Sequence, residues 1–143
     1  MEILLRDAEE TDMKFIRFCV KQFVLDDADM HSHQFVVAEI AGAIVGFGRL
    51  RKHTDCTELC TLGVVVEYRG KGIGRKLVNR LIEKSRTDLF VVCIIPAFFR
   101  KFGFKQIDNF PVSMFQKHKM CTEKFVVPET YCVMKRVADH LLG

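Results

Sequence analysis

A chain of 143 residues fits one domain, and 49% hydrophobic with 28% charged residues is the balance of a globular protein, not of a disordered tail. The longest nearly uncharged run, Ile40 to Gly48, is far too short to span a bilayer, and Met-Glu-Ile at the start lacks the basic and apolar regions of a secretory signal. A net charge of +4 suits an anionic ligand but falls short of the basic footprint of a dedicated nucleic-acid binder.

Taken in chain order, Glu2 to Arg6 reads as a short strand. A helix follows, N-capped by Thr11 or Asp12, with Ile16, Val20 and Phe23 at helical spacing and Lys14, Arg17 and Lys21 on the other face. Asp26 to Ser32 is polar and irregular, and His31-Ser-His33 beside Asp26, Asp27 and Asp29 reads as a solvated loop with no distant metal ligand indicated. Gln34 to Ile40 and Ala43 to Arg51 are β-rich segments joined at Ala41-Gly42, a two-residue hairpin signal. Thr57 to Val66 is expected to be the longest strand. Gly72 to Arg86 reads as a helix with the apolar stripe Ile73, Leu77, Val78, Leu81 and Ile82. Leu89 to Ile95 has the continuous apolar run of a buried strand. Pro96 starts a short helix over Ala97 to Phe102, closed by Gly103. Phe104 to Asp108 and Thr130 to Arg136 read as closing strands, and Met114 to Phe125 has no assignment.

No repeat, low-complexity tract or linker interrupts this order, so one domain over residues 1–143 is expected. The class is mixed α/β, with a mostly antiparallel sheet flanked by helices, because the hairpins exclude a purely parallel sheet. Six cysteines contain neither a CxxC pair nor a Cys/His set at zinc spacing; they read as reduced thiols of a cytoplasmic protein that needs no metal. Membrane insertion and nucleic-acid binding are not expected, and oligomeric state is left open, a homodimer included.

The richest stretch is Val64-Val65-Val66-Glu67-Tyr68-Arg69-Gly70-Lys71-Gly72-Ile73-Gly74-Arg75, with three alternate glycines between a strand and a helix. Glycines there bare the amide N–H groups, and with the helix dipole these make a phosphate-sized anion site. Arg69, Lys71, Arg75 and Lys76 add positive charge. The P-loop pattern GxxxxGK[ST] is absent. A dinucleotide fingerprint would need glycine at Arg75, and Asp88 precedes the next strand where the ribose-binding acid would end it. The pattern (Gln/Arg)-x-x-Gly-x-(Gly/Ala) is met in full by Arg69 to Gly74.

With the strand from Glu58, the amphipathic helix, the buried strand and Ala97-Phe-Phe-Arg-Lys-Phe-Gly-Phe104, this order resembles the GNAT superfamily of N-acetyltransferases over residues 1–108. Paired Phe98-Phe99 is similar to GNAT domains related to N-acetylglutamate synthase. The resemblance implies acetyl-coenzyme A as cosubstrate, its pyrophosphate on the amides of Arg69, Gly70, Lys71, Gly72, Ile73, Gly74 and Arg75. It implies pantetheine pairing at a strand bulge near Val64, Val65 and Val66, with Phe98 and Phe99 also against the coenzyme.

Acetyl transfer to a primary amine needs that amine deprotonated. Glu58 stands on the strand before the glycine turn, where several members of the family place their base. Strand alternation puts it on one face with Cys56, Cys60 and Leu62, neighbours that would raise its pKa. Arg49 and Arg51 alternate onto one face of the preceding strand and would suit a carboxylate on a small-molecule amine acceptor such as an amino acid. One departure stands out: Phe99 occupies the position where many relatives carry a tyrosine that protonates the leaving thiolate. Tyr131 is a substitute to consider, although a packed ring is the simpler expectation. The rival functions are a coenzyme A-binding sensor without turnover and a nucleic-acid binder using the Arg69 to Lys76 cluster.

Overall fold

The computed structural model of the chain describes residues 2–139. These form two compact units, residues 2–51 with 59–84 and residues 52–58 with 85–139, and one strand runs through both.

In the first unit, β1 (Leu4–Asp7), β2 (Phe35–Ile40) and β3 (Ala43–Lys52) pair antiparallel. The β2–β3 hairpin turns on Ala41 and Gly42, with φ +51° and +82°, as expected of a two-residue turn whose central residues are both left-handed. Helix α1 (Met13–Phe23) follows a 3-10 turn over Glu10–Asp12. The expected cap at Thr11 or Asp12 is therefore corrected: Asp12 is itself helical and makes no cap hydrogen bond to α1. The helix buries Met13, Ile16, Cys19 and Val20 against Phe35, Val37 and Phe47. Helix α2 (Ile73–Lys84) buries Ile73, Leu77, Val78 and Leu81 on the other face of the sheet. It lies close because β3 offers no side chain at Gly46 and Gly48, where a Cβ would come within 3.0 Å of Leu77 and Leu81 respectively.

The strand shared by both units is β4 (Thr57–Val64), which at eight residues is shorter than the ten of β3. Val65 and Val66, expected to end it, lie beyond it: Val65 precedes a 3-10 turn over Val66–Tyr68. Thr61 sits inside β4 at φ +53°, so period-two counting of faces stops there; Leu62 beyond it packs over Gly48.

In the second unit Thr57 and Glu58 pair parallel with β5 (Leu89–Cys93), which pairs antiparallel with β7 (Cys132–Arg136); β6 (Lys105–Gln106) pairs antiparallel with β7. The strand order is thus β1-β2-β3-β4-β5-β7-β6, a mixed, mostly antiparallel arrangement of seven strands with helices on its faces. Helix α3 (Pro96–Arg100) begins on its proline and is followed by Gly103 at φ +90°. The stretch without a sequence assignment forms α4 (Val112–Lys124), whose Met114 packs with Phe90 and Val133. Among the described residues, all six cysteines are free thiols and no helix is long and apolar enough to cross a membrane.

Candidate active site

The glycine turn ends in the first turn of α2. Gly70 and Gly72 hold φ +78° and +82°, conformations that cost a residue with a Cβ about 1–2 kcal/mol. A Cβ on Gly70 would meet nothing within 4 Å, so backbone shape, not crowding, requires glycine there. The first α2-type hydrogen bond runs from the Lys76 amide to the Gly72 carbonyl, at 3.2 Å. The amides before it, Ile73 to Arg75, are of the kind a helix leaves to an anion. Lys71 and Arg75 are exposed, and the Arg75 guanidinium lies 3.5 Å from the position of a Gly72 Cβ, over the turn. Ile73 has only its amide to offer, since its side chain is in the core. The residues present therefore fit a pyrophosphate.

Two expectations for this stretch are corrected. The Arg69 side chain turns back: its Nε donates to the Val64 carbonyl at 2.9 Å, and its guanidinium lies 5.0 Å from the Phe23 ring centre. The Arg69 amide is committed as well, donating to the Val66 carbonyl at 3.2 Å, so its expected contact to the pyrophosphate is corrected too. The Val65 amide donates to the Val45 carbonyl at 2.8 Å, so it cannot pair with pantetheine; alternation directs the Val64 amide to the opposite edge. Val66 is exposed at the start of the 3-10 turn, and the irregularity expected at Val64–Val66 falls at Thr61.

Arg49 is also corrected. It is fully buried, and its guanidinium is committed to interior acceptors. Nε donates to Thr61 Oγ1 at 2.8 Å, Nη1 to Gln34 Oε1 at 3.0 Å and the Asp29 carbonyl at 3.2 Å, and Nη2 to the Asp26 carbonyl at 3.3 Å. It clamps the loop after α1 to β4 and is not directed at an acceptor. Arg51, two residues on, is half-buried.

In the second unit, Glu58 has no exposed surface. Its Oε1 lies 2.9 Å from His53 Nε2 and its Oε2 accepts a hydrogen bond from Lys117 Nζ at 2.5 Å. Burial pushes the carboxyl up, as the sequence suggests. The His53 hydrogen bond and the Lys117 charge and hydrogen bond outweigh it, holding the group below its ordinary value. The expected raised pKa is therefore corrected: Glu58 is an anion across the neutral range. Lys117 is set in place through its own helix. Asp55 Oδ2 accepts the Ser113 amide at 3.0 Å, capping α4 from outside, and Lys117 follows one turn later.

Sequence reasoning did not anticipate His53 or Lys117. The signal for Lys117 is its place in the buried row Met114, Lys117, Cys121, where a lysine at core spacing announces a partnered charge. Phe99 is buried in an aromatic cluster, with ring centres 5.1 Å from Phe98 and 5.5 Å from Phe104. Phe98 is half-buried. Tyr131 is half-buried too, and burial raises its phenol, which makes it a weaker acid.

Residues 31–106 match the family described as the acetyltransferase (GNAT) domain. An uncharacterised N-acetyltransferase of Chlorobaculum tepidum is 30% identical over 69% of this chain and 68% of its own length. An amino-acid acetyltransferase of Mycobacterium tuberculosis is 30% identical over 77% of this chain and 68% of its own. The N-acetylglutamate synthase of Neisseria gonorrhoeae, crystallised with coenzyme A and N-acetyl-glutamate, shares the fold at TM-score 0.79 and 18% identity. That likeness covers 98% of this chain but only 36% of the synthase. The glycine turn at the α2 N-terminus and these matches agree, and the chain belongs to the GNAT family of N-acetyltransferases.

Proposed function

We propose that the chain acts as a single N-acetyltransferase domain, moving the acetyl group of acetyl-coenzyme A to the primary amine of a small molecule, an amino acid foremost. The amine attacks the thioester directly, and Glu58 supplies base assistance. The observation that carries this is the Glu58 carboxylate, without exposed surface yet kept ionised between His53 and Lys117. Stability gives little reason for such a triad, because a buried ion pair contributes about as much as apolar residues of the same volume, or less. Proton transfer gives a reason. The glycine turn supplies the anion site for the pyrophosphate, and the Val64 amide is the main-chain donor offered to the pantetheine arm or the thioester oxygen.

Amino-acid acceptors are supported by the name of the Mycobacterium tuberculosis relative and by the ligand of the Neisseria gonorrhoeae synthase. Arg51 is the proposed contact for their carboxylate. Phe99 gives no proton to the leaving group; a thiol with a pKa of about 8.5 leaves without one.

A screen for thiol release from acetyl-coenzyme A against a panel of amino acids, polyamines and simple amines tests this. One N-acetylated amine per thiol released is the expected result. Coenzyme A binding without transfer to any amine would assign the chain to a sensing role instead, and no binding at all would remove the reading.

A further inference from the structure

A carboxylate with no exposed surface cannot touch an acceptor amine. Both Glu58 oxygens are engaged, and the net pull on the carboxyl makes it a poorer proton acceptor than an ordinary one. A group so placed orients and polarises a neighbour better than it collects protons itself. His53 is the neighbour with access: 16% of its side-chain surface is exposed. It lines an open groove of about 480 Å³, together with Lys52, Asp55, Cys56, Asp88 and Lys135. The bond to Glu58 sorts the two ring nitrogens. Against an ionised carboxylate Nε2 carries the hydrogen, and the lone pair of the neutral ring is left on Nδ1, which has no hydrogen-bond partner among the described residues.

We propose that His53 Nδ1 takes the proton of the acceptor amine, and that Glu58 is a positioning residue that fixes the tautomer and stabilises the imidazolium. This rests on the acetyltransferase reading above and changes which residue meets the substrate. The logic is that of a carboxylate–histidine pair in acyl transfer. In the step, the neutral amine nitrogen bonds to the thioester carbonyl carbon, and the C–S bond breaks with its electron pair on sulfur. One proton passes from nitrogen to His53, and His53 returns one through solvent to the thiolate. The products are an N-acetyl amide and free thiol, and the ring ends neutral. Charged and titratable groups around the ring are Glu58 of β4 with Lys117 of α4 behind it, Lys52 of β3, and Asp55 and Cys56 of the turn that carries His53 itself. Asp88 and Lys135 share the groove wall.

The test is His53→Ala, read by kcat/KM, by coenzyme A affinity and by rescue with free imidazole. A loss of about 10²- to 10⁴-fold is expected, with unchanged coenzyme A affinity and saturable recovery of tenfold or more on adding imidazole. A purely structural histidine would not respond to imidazole. A nitrogen-15 spectrum of the wild type reads the tautomer independently of activity and of any variant's folding, and Nε2–H is expected. Activity of His53→Ala within threefold of wild type, a loss that imidazole leaves untouched, or an Nδ1–H ring would each overturn the proposal. If the wild type transfers acetyl and His53→Ala matches it, only this inference falls. If the wild type transfers to no amine, the acetyltransferase reading falls and takes this one with it.

Discussion

Glu58 and Lys117 face each other with 0% and 7% of their side-chain surfaces exposed, a burial that makes each costly without the other. Removing one member of such a pair typically costs about 3–5 kcal/mol, because the remaining charge is stranded, while removing both together costs far less. Lys117→Met is therefore expected to be strongly destabilising in denaturant unfolding, and Glu58→Gln with Lys117→Met to recover most of the loss. The pH dependence has a definite sign. The folded carboxyl titrates below its unfolded value, so the pair's contribution is complete above the ordinary carboxyl range and fades as pH falls through the folded value. Glu58→Gln should flatten the acid side of the stability profile; an unchanged acid side would contradict the ionised carboxylate. Arg49 makes a parallel case. Arg49→Ala leaves Thr61, Gln34 and the carbonyls of Asp26 and Asp29 without their buried donor, at a cost of about 3 kcal/mol or more. Arg51→Ala, at a half-buried site, is expected to stay within about 0.5 kcal/mol by the same measurement.

At the scale of elements, the glycine turn and α2 act as one device: positive φ at Gly70 and Gly72 brings bare amides to the start of a helix. Gly70→Ala forces a Cβ into a left-handed residue that has open space around it, so the fold should lose only about 1–2 kcal/mol. Coenzyme A affinity, measured by calorimetry, should fall tenfold or more, because relief of the left-handed strain at residue 70 shifts the amides that follow it; unchanged affinity would place the pyrophosphate elsewhere. This turn, α1, α2 and the Ala41-Gly42 hairpin were legible in the sequence because periodicity and glycine placement are local signals. The α4 helix was not legible. Its buried row contains Lys117 and its exposed side carries Val112 and Phe115, so polarity does not track burial along it. The end of β4 was misplaced for a related reason: three valines favour a strand anywhere, while the 3-10 turn after Val64 and the left-handed Thr61 are set by tertiary partners.

For the molecule as a whole, the family was readable from the glycine turn together with the ordered strands, helix and Ala97 to Phe104 segment around it, whereas the proposed chemistry depends on a meeting the chain order hides. Glu58 is bound to Lys117, 59 positions later, on a helix held at its start by Asp55. Sequence alone marked Glu58 and gave it a base's raised pKa, because its partners lay outside any local pattern; it likewise offered Arg49 to a substrate that its burial excludes. The chain spans only 36% of the Neisseria gonorrhoeae synthase, so the acceptor it serves is to be settled by assay on this chain itself. The most direct measurement is steady-state thiol release by wild type and Glu58→Gln with the best amine acceptor, alongside coenzyme A affinity for both. Glu58→Gln is expected to bind coenzyme A as the wild type does and to lose about 10²-fold or more in kcat/KM. Equal turnover by the two proteins would contradict it.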